Sequence, residues 1–136
     1  LDLEMDALDA LLENKISALV VTLSEDARPF TGLAAAVDWR LGGVVSDFVT
    51  QGIITGQVGE CTYLPCLRHG RTYHLIVAGT GPHDSRTVPA ETYRSLNAHL
   101  PGLRLTNLGI SKKDFPGASR EQLVRHLKNA QFRVLP

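Results

Sequence analysis

Cys61 and Cys66, together with His69, His74 and His83, are the side chains of this sequence most capable of binding a metal. A structural zinc site draws its ligands from closely spaced units such as CxxC, and a zinc peptidase from HExxH. Neither unit occurs: the two cysteines stand five positions apart. On an extended segment an odd separation sends side chains to opposite faces. The spacing therefore predicts no metal and no cofactor. Nucleophilic chemistry has no better footing. Ser46 and Ser85 lie outside any GxSxG turn, and Glu25-Asp26 reads as a solvated acidic loop. No catalytic residue is assigned.

Glycine at the end of a strand is a different kind of signal. Gly79-Thr80-Gly81-Pro82 follows the apolar run LIVA, and in open α/β sheets ligands collect beyond the carboxyl ends of strands. Helix N-termini gathered there attract anions, and Thr31-Gly32 opens a predicted helix. Thr31, Gly32, Gly79, Thr80 and Gly81 are therefore the candidate ligand-pocket residues. Pro82 has no amide to offer a phosphate.

Charge is balanced overall, with 14 basic and 14 acidic residues, but unevenly placed. Residues 1–60 hold ten acids and three bases, and residues 61–136 four acids and eleven bases. A basic group at Arg68, His69 and Arg71, and another at Arg120, Arg125 and Lys128, fall in the second half. Zero net charge and 6% aromatic residues disfavour a nucleic-acid partner. The gradient instead suits contact with a protein, or with a second copy of the chain, through Arg120, Arg125 and Lys128.

The elements that would position these residues alternate between strand and helix. Leu1, Leu3 and Met5 alternate with acids and predict a short strand; Leu8, Leu11 and Leu12 predict a short helix. The continuous run 16–23 predicts a strand covered on both faces. Leu33, Val37, Leu41, Val44 and Phe48 form one stripe, predicting a helix over 31–50 with Thr31 as N-cap, a kink at Gly42-Gly43 and an end at Gly52. Residues 61–67 and 73–79 predict a hairpin. A helix is expected from Pro89 to 99, stopped by Pro101-Gly102, then a strand at Leu103 and Leu105. Ser119 and Gln122 form a capping-box pattern before a helix carrying Leu123, Leu127 and Ala130, and Phe132 and Val134 predict a last strand. This is one domain, 1–136, an α/β three-layer sandwich with a mixed, mostly parallel sheet.

The ordered strings LAAAVDWRLGGVVSDFV (33–49), TGQVGE (55–60) and LIVAGTG (75–81) resemble the N-terminal domain of cytosol-type leucine aminopeptidases. That resemblance implies a macro-domain-like fold. It also implies no catalysis, because the family's zinc ligands and catalytic groups belong to a second domain whose NTDAEGR signature is not found in this sequence. Gln57 stands where that family has lysine, and residues 110–136 do not follow its pattern. The expected function is a non-catalytic interaction or assembly domain. Two alternatives are an N-terminal fragment of a longer zinc leucyl aminopeptidase and a macro-like module binding a nucleotide-type ligand. The asparagine and glycine-rich loops by which macro domains hold ADP-ribose are not recognisable here. No apolar run reaches the ~20 residues of a membrane span, and the acidic N-terminus lacks the features of a secretion signal, which predicts a cytoplasmic protein.

Overall fold

A strand without a polar face needs cover on both sides, and the run 16–23 receives it. It forms β1 (Ala18–Ser24), the middle strand of a five-stranded sheet ordered β2-β3-β1-β4-β5. The computed structural model describes residues 5–26, 28–83 and 86–136. The strand expected at Leu1 and Leu3 lies outside the described residues, and Met5 belongs to no element. α1 (Ala7–Leu12) is capped by Asp6, whose carboxylate accepts the Asp9 N–H at 2.9 Å.

β1 pairs in parallel with β3 (Arg71–Gly81) on one side and with β4 (Leu108–Ser111) on the other. β5 (Arg133–Leu135) extends β4 in parallel, and β2 (Cys61–Arg68) runs antiparallel to β3 across a tight turn at His69-Gly70. The sheet is mixed and mostly parallel, as expected.

Alternation then sorts the core. Leu19, Val21, Leu75 and Val77 face α1, α2 (Gly32–Arg40) and α3 (Val44–Thr50), packing on Leu11, Val37, Leu41 and Val45. Val20, Ile76 and Ile110 face α4 (Ala90–Leu103) and α5 (Arg120–His126), packing on Leu96, Leu100, Phe115, Leu123 and Leu127. Each fully buried side chain of this kind contributes roughly 1.5–3 kcal/mol. The result is three layers, helices on both faces of one sheet.

Several expectations need correction. The helix over 31–50 is two helices: Gly42 and Gly43 take φ of 73° and 84°, a left-handed conformation that stops α2 and starts α3 anew. The apolar stripe runs on because both helices cover the same side of the sheet. Next, Pro101-Gly102 does not stop α4, which continues to Leu103 with Pro101 inside its last turn and ends at Arg104 in the left-handed region. The proline lies one residue beyond the buried anchor Leu100, so tertiary packing outweighs one missing hydrogen bond. Finally, Leu103 and Leu105 do not form a strand; the strand is Leu108–Ser111, buried throughout. Thr31 does precede α2 as its N-cap, but its hydroxyl makes no capping bond. The Ser119 capping box is present in full, with the Ser119 amide donating to Gln122 at 2.8 Å and the Gln122 amide to Ser119 at 3.2 Å.

Candidate functional site

The parallel strands β1, β3 and β4 all end on the same edge of the sheet, and a cavity of about 240 Å³ opens there. Its walls come from Thr22 and Ser24 of β1, Thr80 of β3, the start of α2 at Thr31 and Gly32, and the loop after β4 at Lys113 and Asp114. His83 and Thr87 close the side nearest α4. The first amides of a helix have no acceptor within it. The Thr31 hydroxyl does not occupy the first amides of α2, and Thr31, Gly32 and Ala34 line the cavity.

Asp114 anchors the site. It ends a single 3₁₀ turn (Lys112–Asp114), and its carboxylate accepts the Thr22 N–H at 2.7 Å. The Thr22 hydroxyl donates to the Asp114 carbonyl at 3.3 Å, so two bonds tie the loop after β4 to β1. Burial pushes the Asp114 carboxyl up to about 6, with the bonds from Thr22 holding it from rising further. Lys113 beside it supplies a positive charge.

A second cavity of about 290 Å³ adjoins the first, sharing Gly32, Lys113 and Asp114. Its other walls are more apolar, with Leu8, Leu33, Ala36 and Pro136, and Asp6 stands among them. The two together make a bipartite cleft: one end polar beside a helix N-terminus, the other apolar with a carboxylate.

Of the residues singled out from sequence, Thr31, Gly32 and Thr80 meet in the first cavity. Gly79 and Gly81 hold the neighbouring loop instead. The Gly81 amide donates to the Gly56 carbonyl at 2.9 Å, and a side chain on Gly79 would lie 2.0 Å from the Gln57 carbonyl oxygen. That loop is TGQVGE, clipped by Glu60, whose carboxylate accepts the amides of Thr55 and Gly56, each at 2.9 Å.

The remaining candidates are dispersed. Cys66 lies in the core beneath α1–α3 and Cys61 against the opposite core, where burial pushes its thiol up to about 11. Among the described residues no three His, Cys, Asp or Glu side chains gather as a metal site would require. Ser46 donates to the Asp38 carboxylate between α2 and α3, and Ser85 lies outside the described residues. Asp26 is exposed as expected, and accepts the His83 amide at 2.8 Å. The two basic groups do not meet: the Arg71 guanidinium donates to the Leu11 carbonyl of α1, whereas Arg120 and Arg125 belong to α5 across the sheet. Lys113, Asp114, His83 and Asp6 carried no sequence motif. The one available signal was the placement of KKD directly after the strand LGIS.

No protein-family model matches this sequence, and no curated protein is recognisably similar to it. Solved structures do share its architecture, and they define the class: the fold is that of macrodomains. The chain is similar to the macrodomain of Thermus aquaticus DarG, with a TM-score of 0.68 and 16% identity over 93% of both chains. It is also similar to the macrodomain of Mycobacterium tuberculosis DarG, with a TM-score of 0.63 and 15% identity over 93% of this chain and 92% of that one. Thermosipho africanus DarTG, solved in complex with ADP-ribose, gives a TM-score of 0.60 and 13% identity over 88% of this chain and 37% of that one. The macro-domain-like fold implied by the aminopeptidase resemblance is thus present, whereas kinship with leucine aminopeptidases is not established. No helix among the described residues is long and apolar enough to cross a membrane.

Proposed function

We propose that this chain is a nucleotide-binding module whose ligand is ADP-ribose or a close nucleoside-diphosphate relative. The observation that carries this reading is the bipartite cleft at the carboxyl ends of β1, β3 and β4, in a fold similar to that of a protein solved with ADP-ribose. The diphosphate would lie in the first cavity, between the first amides of α2 and Lys113, where the helix end and the ammonium both favour negative charge. The base would occupy the apolar cavity beside Leu33, its exocyclic amine turned to the carboxylate of Asp6. The terminal ribose would reach Thr80 and Thr87, whose hydroxyls suit a sugar.

This reading displaces that of an interaction domain derived from a peptidase. The cleft explains why a short 3₁₀ turn carries a buried carboxylate and a lysine, which assembly alone does not require. Calorimetric titration with ADP-ribose, ADP, AMP and ribose 5-phosphate tests it. Saturable binding is expected for the first two, weaker for the last two. Absence of binding by all four at millimolar concentration would overturn the reading. Chromatography of the titrated mixtures would show whether bound ligand is also turned over.

A further inference from the structure

Between α4 and the segment that leads into α5 lies a further cavity, of about 460 Å³. Thr87, Val88 and Pro116 form a wall common to it and to the first cavity of the cleft, but Tyr93, Arg94, Asn97, Gln122 and His126 line neither cavity of the cleft. Tyr93 is only 8% exposed, with its ring packed on Phe115 and stacked on His126, centroids 4.5 Å apart. Its hydroxyl is not sealed from solvent, yet among the described residues it has no hydrogen-bond partner. A tyrosine buried this far ordinarily finds one.

The side chains around that hydroxyl have their acceptors occupied and donors left over. Gln122 Oε1 accepts the Ser119 N–H at 2.8 Å, which leaves the Nε2 amide. Asn97 Oδ1 accepts the Asn129 N–H at 3.4 Å, and Asn97 Nδ2 donates to the His126 carbonyl with one of its two hydrogens. A guanidinium only donates, and the pairing of Arg94 with Glu91 at 3.3 Å engages a single nitrogen of it. Burial raises the Tyr93 phenol above its ordinary pKa, so it stays protonated and able to donate. No Asp or Glu is among the described residues that line the cavity.

We propose that this cavity is a second ligand site, taking a small organic anion whose carboxylate or phosphate oxygens accept from Tyr93, Gln122 and Arg94. A set of donors without acceptors recognises an acceptor-rich head, and hydrogen bonds from a guanidinium to an oxyanion are the stronger kind. Val88, Ala90, Pro116 and Ala118 give the body of the ligand an apolar wall. Mostly apolar lining with a few convergent polar groups is the usual make-up of a small-molecule pocket. The proposal needs no ligand in the nucleotide cleft, and neither does its test.

Amide NMR of the isotope-labelled whole chain reads both sites at once. The Ala118 backbone and Gln122 side-chain amides report on this cavity, the Gly32 and Lys113 amides on the cleft. The probes are phenyl phosphate and benzoate, with inorganic phosphate as the head alone. Saturable shifts of Ala118 and Gln122 are expected at millimolar concentration or below, and the tighter of the two aromatic probes identifies the head. Y93F keeps the ring and its stack on His126 but removes the donor. It should retain the parent's melting temperature and weaken binding roughly threefold to tenfold, the worth of one hydrogen bond. R94Q, which removes the charge, should weaken it at least as much. Absence of saturable shifts with all three probes would overturn the proposal, as would binding that neither substitution alters. Shifts confined to Gly32 and Lys113 would overturn it while leaving the nucleotide reading intact. Shifts of Ala118 and Gln122 by the probes, with ADP-ribose moving nothing, would support it and strike the nucleotide reading alone.

Discussion

The Asp114 carboxylate accepts the Thr22 amide at 2.7 Å, bonding the loop that follows β4 to the strand at the centre of the sheet. This places an ionisable acid between two adjoining cavities, where ionisation costs more than in water.

The pH dependence of stability follows from that position. The Asp114 carboxyl rises from 3.8 to about 6, so the folded state holds this proton more tightly than the unfolded chain does. Its contribution is full below about 4 and is lost as pH climbs through about 6. At about 1.4 kcal/mol per tenfold change in proton affinity, the loss is at most about 3 kcal/mol. D114N keeps an acceptor for Thr22 and removes the ionisation. Urea titrations at pH 4.5 and 7.5 should show D114N losing less stability than the parent between the two.

Ligand affinity should move with the same group. Above about pH 6 the Asp114 carboxylate opposes a diphosphate in the first cavity. ADP-ribose should bind more weakly at pH 7.5 than at pH 5, with a smaller difference in D114N. K113E, which reverses the charge nearest the shared wall, should weaken binding about tenfold or more at either pH, equivalent to ~1.4 kcal/mol. Calorimetry reads both effects.

How far the sequence discloses this molecule depends on whether local chemistry or distant neighbours decide each element. The doubly covered strand, the hairpin and the Ser119 cap are local, and the structure has all three. The end of α4 is not, because the burial of Leu100 carries the helix past Pro101. Neither is β4, where Gly109 interrupts the apolar pattern. A side chain there would come within 2.6 Å of Ile16 Cδ1, and nothing local announces that neighbour. In the cleft, Thr31, Gly32 and Thr80 could be found by their place at a helix start and a strand end. Asp114 could not, since its significance arises from a bond to Thr22, 92 residues away.

Gly79 tests the close approach of β3 to the TGQVGE loop. G79A sets a methyl 2.0 Å from the Gln57 carbonyl oxygen, contact with backbone that cannot swing aside. A loss of roughly 1–3 kcal/mol or more is expected, the range of an overpacked core. Chemical denaturation measures it.

The capping box of α5 offers a milder perturbation. S119A removes the acceptor of the Gln122 amide and should cost about 1 kcal/mol without altering ligand affinity, since α5 begins outside both cavities of the cleft. Thermal unfolding and a parallel titration with ADP-ribose check the two halves of that statement.

The placement of β1 has a consequence for biogenesis. The residues that face Ala18 in its parallel partners lie 56 and 90 positions further along, His74 on one side and Leu108 on the other. A polypeptide leaving the ribosome therefore exposes its most apolar segment long before either neighbour is synthesised, and must hold that segment apart from other nascent chains. A translation product arrested ahead of residue 108 should depend on chaperones, however well its own helices form.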